Sequence, residues 1–216
     1  MYIWFSTLTK PTPDSIISCM IYFTEVVTLL YLIRHGKTDW NERHKIQGQT
    51  DIPLNDFGRK MAEDAAEEYR DIHFDVCYCS PLIRAKETAE ILLKDRNIPI
   101  IYDDRLKEFG FGTSEGIEHS FKTPELPINV FFFHPEEYNT PVEGGESLDA
   151  LFERTGEFLR EVAFPLVNEG KDVLIVGHGA MNSSMICQIK YNSDRTKFWE
   201  DGIPNCKLMK FESIHG

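Results

Sequence analysis

Two apolar runs, far apart in the chain, each end on a histidine flanked by glycine. The first reads Leu29-Leu30-Tyr31-Leu32-Ile33-Arg34-His35-Gly36 and the second Val173-Leu174-Ile175-Val176-Gly177-His178-Gly179. Continuous apolar runs bounded by glycine mark strands covered on both faces, as in the mostly parallel sheets of α/β proteins. Ligands of such sheets bind beyond the carboxyl ends of the strands. Both histidines therefore fall where a protein of this class does its chemistry. Arg34, beside the first, asks for an anion there, with phosphate the leading candidate.

The rest of the chain alternates in the same sense. Residues 28–34 predict the first strand. Phe57 to Tyr69 predict a helix with Phe57, Met61, Ala65 and Tyr69 on its buried stripe. Phe74–Cys79 reads as a strand. Ser80-Pro81 predicts the start of a helix, Ser80 as N-cap and Pro81 in the first position, with Leu82, Ala85, Ala89 and Leu92 on its apolar face. Ile98–Tyr102 is a further short strand. Residues 103–146 are rich in glycine and proline, with a short helix expected over Ile128–Phe133. Ser147 should cap a long helix reaching Leu166. A strand over Lys171–Val176, a helix over Ala180–Ile189 and a last strand over Cys206–Phe211 complete the pattern. This order predicts an α/β fold, a three-layer α/β/α sandwich around a mostly parallel central sheet.

Composition narrows the partners. The 216 residues carry a formal charge of −12, which argues against a nucleic-acid partner, because that surface must be basic. An acidic protein can hold an anion only through a local cluster of positive groups, so clustered Arg and His become informative. Cys19, Cys77, Cys79, Cys187 and Cys206 have neither a CxxC pair nor zinc-ligand spacing, and read as reduced thiols of a cytoplasmic protein. The apolar stretch from Ile16 to Ile33 is broken by Glu25, which would lie inside a bilayer, so no membrane span is expected. A signal peptide is disfavoured too, since Lys10 is the only basic residue before the run and cleavage after it would remove the first strand. Residues 1–24 are expected to be an appendage, with Met20 an alternative start, and residues 25–216 the domain proper.

The chemistry can be read from four positive or basic residues. Arg34 carries a planar fork that matches phosphate oxygens. Arg84 falls in the first turn of its helix, where a cation opposes the helix dipole unless an anion shares the site; an exposed arginine paired with a carboxylate is the plainer alternative. His178 repeats the arrangement of a histidine between strand end and helix start. Arg34, His35, Arg84 and His178 can thus converge on one basic pocket able to hold a phosphoryl group through its transition state. A neutral histidine can act as nucleophile, and a leaving alkoxide needs an acid. Leu106-Lys107-Glu108-Phe109-Gly110 offers Glu108, although its spacing fits a surface glutamate equally well.

Arg34-His35-Gly36-Lys37-Thr38-Asp39-Trp40-Asn41 resembles the signature of the histidine phosphatase superfamily, the phosphoglycerate mutase-like proteins. The likeness continues through Gln47-Gly48, Asp51-x-Pro53-Leu54, Gly58, Ser80-Pro81-x-x-Arg84-Ala85-x-x-Thr88-Ala89, Leu106-x-Glu108, Glu115-Gly116, Gly144-Gly145-Glu146-Ser147 and Gly177-His178-Gly179. Each tripeptide is weak alone; their order is specific. The resemblance implies His35 as the nucleophile that becomes phosphohistidine and Glu108 as the acid. Arg34, Arg84 and His178 would hold the phosphoryl group, with Asn41, Gln47, Gly48 and Gly179 beside it. It implies no metal and no other cofactor. Asp51–Leu54 and Gly144–Ser147 read as turns and a helix cap.

The superfamily holds mutases and phosphatases. Residues 117–143 offer only His119, Lys122 and His134 as positive groups, against Phe121 and Phe131-Phe132-Phe133. This resembles the short apolar lid of the phosphatase branch, a lid taken here as about residues 110–146. A phosphomonoester hydrolase acting on a small phosphorylated metabolite is therefore expected. A cofactor-dependent phosphoglycerate mutase and a non-catalytic phospholigand-binding protein are the alternatives. Association as a homodimer stays open.

Overall fold

The computed structural model describes residues 29–118 and 126–212. The expected appendage 1–24, together with His119, Phe121 and Lys122, lies outside them. Five strands form one sheet: β1 (Leu29–Arg34), β2 (Val76–Cys79), β3 (Ile100–Tyr102), β4 (Val173–Gly177) and β5 (Leu208–Glu212), in the order β3-β2-β4-β1-β5. All neighbours are parallel except β5, which runs antiparallel to β1. The two apolar runs are adjacent central strands, with Arg34 in register with Gly177.

Alternate residues of these strands feed two cores. Leu30, Leu32, Val173 and Ile175 pack with Phe158, Leu159, Met181 and Met185 on one face. These belong to α5 (Leu148–Phe158), a π-helical turn over Leu159–Ala163, and α7 (Gly179–Lys190). Tyr31, Ile33, Cys77, Cys79, Leu174 and Val176 pack on the other face with Ala62, Ala65, Ala85 and Ala89, from α2 (Asp56–Glu68) and α3 (Ile83–Leu92). This is the three-layer α/β/α sandwich, its central strands buried on both sides. A third, aromatic-rich core beyond the carboxyl ends of the strands gathers Phe109, Phe111, Ile128, Leu148, Leu151 and Phe198 with Phe131 of the short helix α4 (Asn129–Phe133). No helix of the described residues is long and apolar enough to cross a membrane.

Several local expectations need correction. On α2 Ala65 and Tyr69 of the expected stripe are buried and Met61 packs against the same core, but at the start of the helix Gly58 takes the buried place expected of Phe57, which is 53% exposed. The reason is a close backbone approach. A Cβ on Gly58 would lie 1.9 Å from the Lys37 carbonyl oxygen, so this glycine must face the loop after β1. The third helix begins at Ile83, not at Ser80-Pro81, and Leu82 gives no side-chain cap. Asp51 caps it from a distance, its Oδ1 accepting from the Ile83 N–H at 2.7 Å. The long helix after Ser147, whose hydroxyl accepts from the Ala150 N–H at 3.1 Å, widens into a π turn before α6 (Phe164–Asn168). Pro165 has no N–H for the carbonyl of residue 161, and the extra residue in the turn absorbs that loss. The last strand starts at Leu208, because Cys206 adopts φ +56° and ends the preceding turn.

Candidate active site

The chain reversals after β1 and β4 bring the two histidines side by side. His35 N–H donates to the Gly177 carbonyl at 3.0 Å, and the two imidazole centroids lie 5.2 Å apart. His35 Nδ1 is 2.6 Å from the Gly36 carbonyl oxygen. That acceptor assigns the proton to Nδ1 and leaves the Nε2 lone pair free. His178 is fully buried, with Nε2 2.7 Å from Ser80 Oγ. Both rings are pushed well below the ordinary histidine pKa, first by burial and then by the positive charges of Arg84 and Arg34. They are neutral at neutral pH, the form in which histidine is a nucleophile.

A cavity of about 390 Å³ opens over His35 and is lined by Arg34, Asn41, Gln47, Gly48, Arg84, Glu108 and Gly179 among others. Arg84 is fully buried, and burial lowers its pKa to about 10, so it stays charged. Its Nη1 and Nη2 donate to the carbonyls of Thr50 (3.0 Å) and Gly48 (2.6 Å). The loop that supplies them is pinned by Glu115, whose carboxylate accepts from the N–H groups of Gln49, Thr50 and Phe111 and from the Thr50 hydroxyl. Gly48 sits at φ +57°, and a Cβ there would come within 2.0 Å of Glu115 Oε1; only glycine fits. Among the described residues, Arg34 Nε, Arg84 Nε and His178 Nδ1 are buried without a hydrogen-bond partner. Unpaired buried donors are costly, and an anion among them would satisfy all three.

Glu108 caps the start of α7. Its Oε1 accepts from the N–H of Phe109 (2.9 Å) and Met181 (3.0 Å), and its Oε2 from Gly179 (2.9 Å) and Ala180 (3.3 Å). Its own backbone is held from outside. Arg154 bonds the carbonyls of Arg105, Lys107 and Glu108 while forming a bidentate pair with Glu146. Glu108 is thus a buried cavity residue and not a surface glutamate.

The structure brings Arg34, His35, Asn41, Gln47, Gly48, Arg84, Glu108 and Gly179 onto one cavity, with His178 directly behind. Four residues with a part in this arrangement were not legible as such. Thr38 had a signal, a threonine followed three residues later by a side chain that can answer it. Ser80 was legible only as a helix cap. Arg154 and Trp199 had none, because long-range packing alone brings Arg154 to the Glu108 backbone and Trp199 to the cavity.

The fold and this constellation define an α/β protein built around a buried histidine pair and two arginines. The model of the histidine phosphatase superfamily, branch 1, matches residues 30–216, and the chain belongs to that family. It is 37% identical over 165 residues to the uncharacterized phosphatase PhoE of Bacillus subtilis, spanning 76% of this chain and 78% of that protein. It is 32% identical to phosphoserine phosphatase 1 of Hydrogenobacter thermophilus, over 86% of this chain and 85% of the relative. A 2,3-bisphosphoglycerate-dependent phosphoglycerate mutase of Cytophaga hutchinsonii also matches, at 31% over 70% and 72%. Among solved structures, Bacillus stearothermophilus YhfR superposes with a TM-score of 0.75 at 30% identity, covering 85% of this chain and 90% of that one.

Proposed function

We propose that this protein is a metal-independent phosphomonoesterase in which His35 carries the phosphoryl group between alcohol and water. The observation that carries this reading is the His35 tautomer: with Nδ1 tied to Gly36, the Nε2 lone pair belongs to a neutral ring among buried cations. In the first step His35 Nε2 bonds to phosphorus, the ester P–O bond breaks, and Glu108 gives its proton to the departing alkoxide. In the second, water attacks the phosphohistidine, Glu108 takes the water's proton, and orthophosphate leaves with His35 restored. Arg34, Arg84 and His178 Nδ1 hold the equatorial oxygens, where their preorganised charge acts most strongly. The Gly179 N–H now bonded to Glu108 Oε2 is a further donor for the phosphoryl group. Its transfer to phosphate leaves Oε2 with only the longer Ala180 N–H contact (3.3 Å) and opens a side of that oxygen for the proton that the acid step requires. Of the lid segment expected at about residues 110–146, Phe111 and Phe132 line this cavity.

Hydrolysis is favoured over mutase chemistry by the rest of the cavity wall. Beyond the phosphate end it offers Ile46, Phe111, Phe132, Ala180 and Trp199, with Lys45 the one additional cation among its described residues. A mutase must also hold a carboxylate through two orientations of its substrate, for which this wall has little to give.

Brief quenching with radiolabelled substrate should trap an acid-labile, base-stable phosphoenzyme, absent from His35→Ala, which should also lose turnover. Retained turnover in that variant would overturn the assignment. Glu108→Gln should slow alkyl phosphates by about 10²–10⁴-fold, and 4-nitrophenyl phosphate, whose leaving group needs no proton, far less. Coupled assays with 2,3-bisphosphoglycerate as primer test the mutase alternative directly.

A further inference from the structure

The wall opposite the phosphate end is a run of stacked rings. Phe111 and Phe132 lie with centroids 5.6 Å apart and planes 14° from parallel. Phe132 and Trp199 continue the stack at 6.0 Å and 20°. All three line the cavity, together with Ile46 and Ala180. The stack is held from behind by Phe131, which meets Phe111, Phe132 and Trp199 edge-to-face at 5.4 Å, and which itself stacks on Phe109 at 4.4 Å. The wall is therefore part of the third core and not a set of loose side chains.

Apart from Lys45, whose ammonium lies over the Trp40 ring, its polar content is spent inward. The indole N–H of Trp199 donates to the Phe131 carbonyl at 3.0 Å. The backbone N–H of Phe111 donates to Glu115 Oε1 at 3.1 Å. An alcohol part bearing several hydroxyls would lose water against this surface without regaining partners, and buried polar groups left unpaired are a strong source of discrimination. A flat apolar group would instead continue the packing the rings already make with one another. The asparagine, glutamine and arginine side chains of the cavity cluster at the phosphate end, so they do not soften the wall.

From this we infer the substrate class: phosphomonoesters whose alcohol carries a planar, apolar group one or two bonds from the phosphate, in preference to sugar phosphates and phosphoserine. The inference rests on the phosphatase reading above, and the test separates the two. Naphthylmethyl, benzyl, ethyl and glucose 6-phosphates are all primary alkyl esters, so leaving-group basicity does not bias the comparison. The wild-type kcat/KM for naphthylmethyl phosphate should exceed that for ethyl phosphate and for glucose 6-phosphate by about tenfold or more, the scale on which apolar pockets discriminate. Phe132→Ala and, separately, Trp199→Leu should lower the naphthylmethyl-to-ethyl ratio toward one; two variants guard against one that fails to fold. In parallel, calorimetry with naphthylmethylphosphonate and ethylphosphonate reads the wall without turnover, and the aromatic ligand should bind about tenfold more tightly. Turnover with no aromatic preference, or a preference for glucose 6-phosphate, would overturn the substrate class while leaving the phosphatase intact. No turnover of any ester, with the phosphonate preference kept, would overturn the phosphatase reading and leave the wall as assigned.

Discussion

Ser80 Oγ lies 2.7 Å from His178 Nε2 and also accepts the Leu82 N–H at 3.3 Å. A phosphoryl oxygen at Nδ1, the buried atom without a protein partner, requires the ring proton there, which makes Nε2 the acceptor and the Ser80 hydroxyl its donor. Ser80 is in this sense a positioning residue. Ser80→Ala should lower kcat/KM by about tenfold, the equivalent of a lost buried hydrogen bond of roughly 1–2 kcal/mol. Ser80→Thr, which keeps the hydroxyl, should restore most of it. Equal loss in both variants would point to packing instead of tautomer control.

The histidines also write a pH signature into stability. Their folded pKa values lie well below 6.5, burial being the first cause. As pH falls below 6.5 the unfolded chain takes up protons that the folded protein refuses. Stability should therefore drop by roughly 1 kcal/mol per pH unit for each histidine, until the depressed folded values are reached. Asp75, Asp103 and Asp201, whose pKa values are lowered from 3.8, contribute stability that is lost only at more acid pH. Urea unfolding in phosphate-free buffer between pH 7.5 and 5 should show the first decline alone. His35→Gln should remove about half of it, and a flat wild-type profile would contradict buried neutral histidines.

The two central strands, the α-helical alternation and the histidine placement were legible because a strand buried on both faces leaves a continuous apolar run that little else produces. Arg34, His35 and His178 came with them. Glu108 was ambiguous by spacing: nothing local distinguishes a surface glutamate from one that closes the start of a helix 71 residues away. The start of α3 was misread for a related reason. Ser80-Pro81 has the local chemistry of a cap, yet its hydroxyl serves His178, and Asp51 does the capping across the fold. Where a polar side chain has a local and a distant partner to choose from, sequence favours the local one.

Gly179 separates structural from functional demand. A Cβ there would stand 3.5 Å from Arg34 Cζ and 3.6 Å from both Arg34 Nη2 and Glu108 Oε2, ordinary contact distances. Gly179 opens α7, where alanine is tolerated, so Gly179→Ala should leave unfolding stability unchanged or raise it by about 0.4–1 kcal/mol. The added methyl group nevertheless fills the gap between Arg34 and Glu108, which the proposed mechanism assigns to a phosphoryl oxygen. Orthophosphate affinity, measured by product inhibition, should fall about tenfold, with tenfold corresponding to about 1.4 kcal/mol. A variant with native phosphate affinity would show that the gap is not part of the site.

Thr38 sets the direction of two amides at once. Its N–H donates to Asn41 Oδ1 at 3.0 Å, and its hydroxyl to Gln47 Oε1 at 2.9 Å. Both amide oxygens are thereby turned toward Thr38, and both NH₂ groups are left to the cavity that Asn41 and Gln47 line. The same hydroxyl accepts the Asn41 N–H at 3.2 Å and caps α1 (Asp39–Glu42). Thr38→Val preserves shape and removes the hydroxyl. It should cost about 1 kcal/mol of stability through the lost cap. It should also raise KM for phosphomonoesters several-fold, because Gln47 is released to present either end to an anion. kcat should change little, since His35 and Glu108 are untouched. Thr38→Ser should keep both amides oriented and KM near wild type. A fall in kcat at constant KM would instead mean that Thr38 acts on the nucleophile through the Gly36–Lys37 backbone and not through the amides.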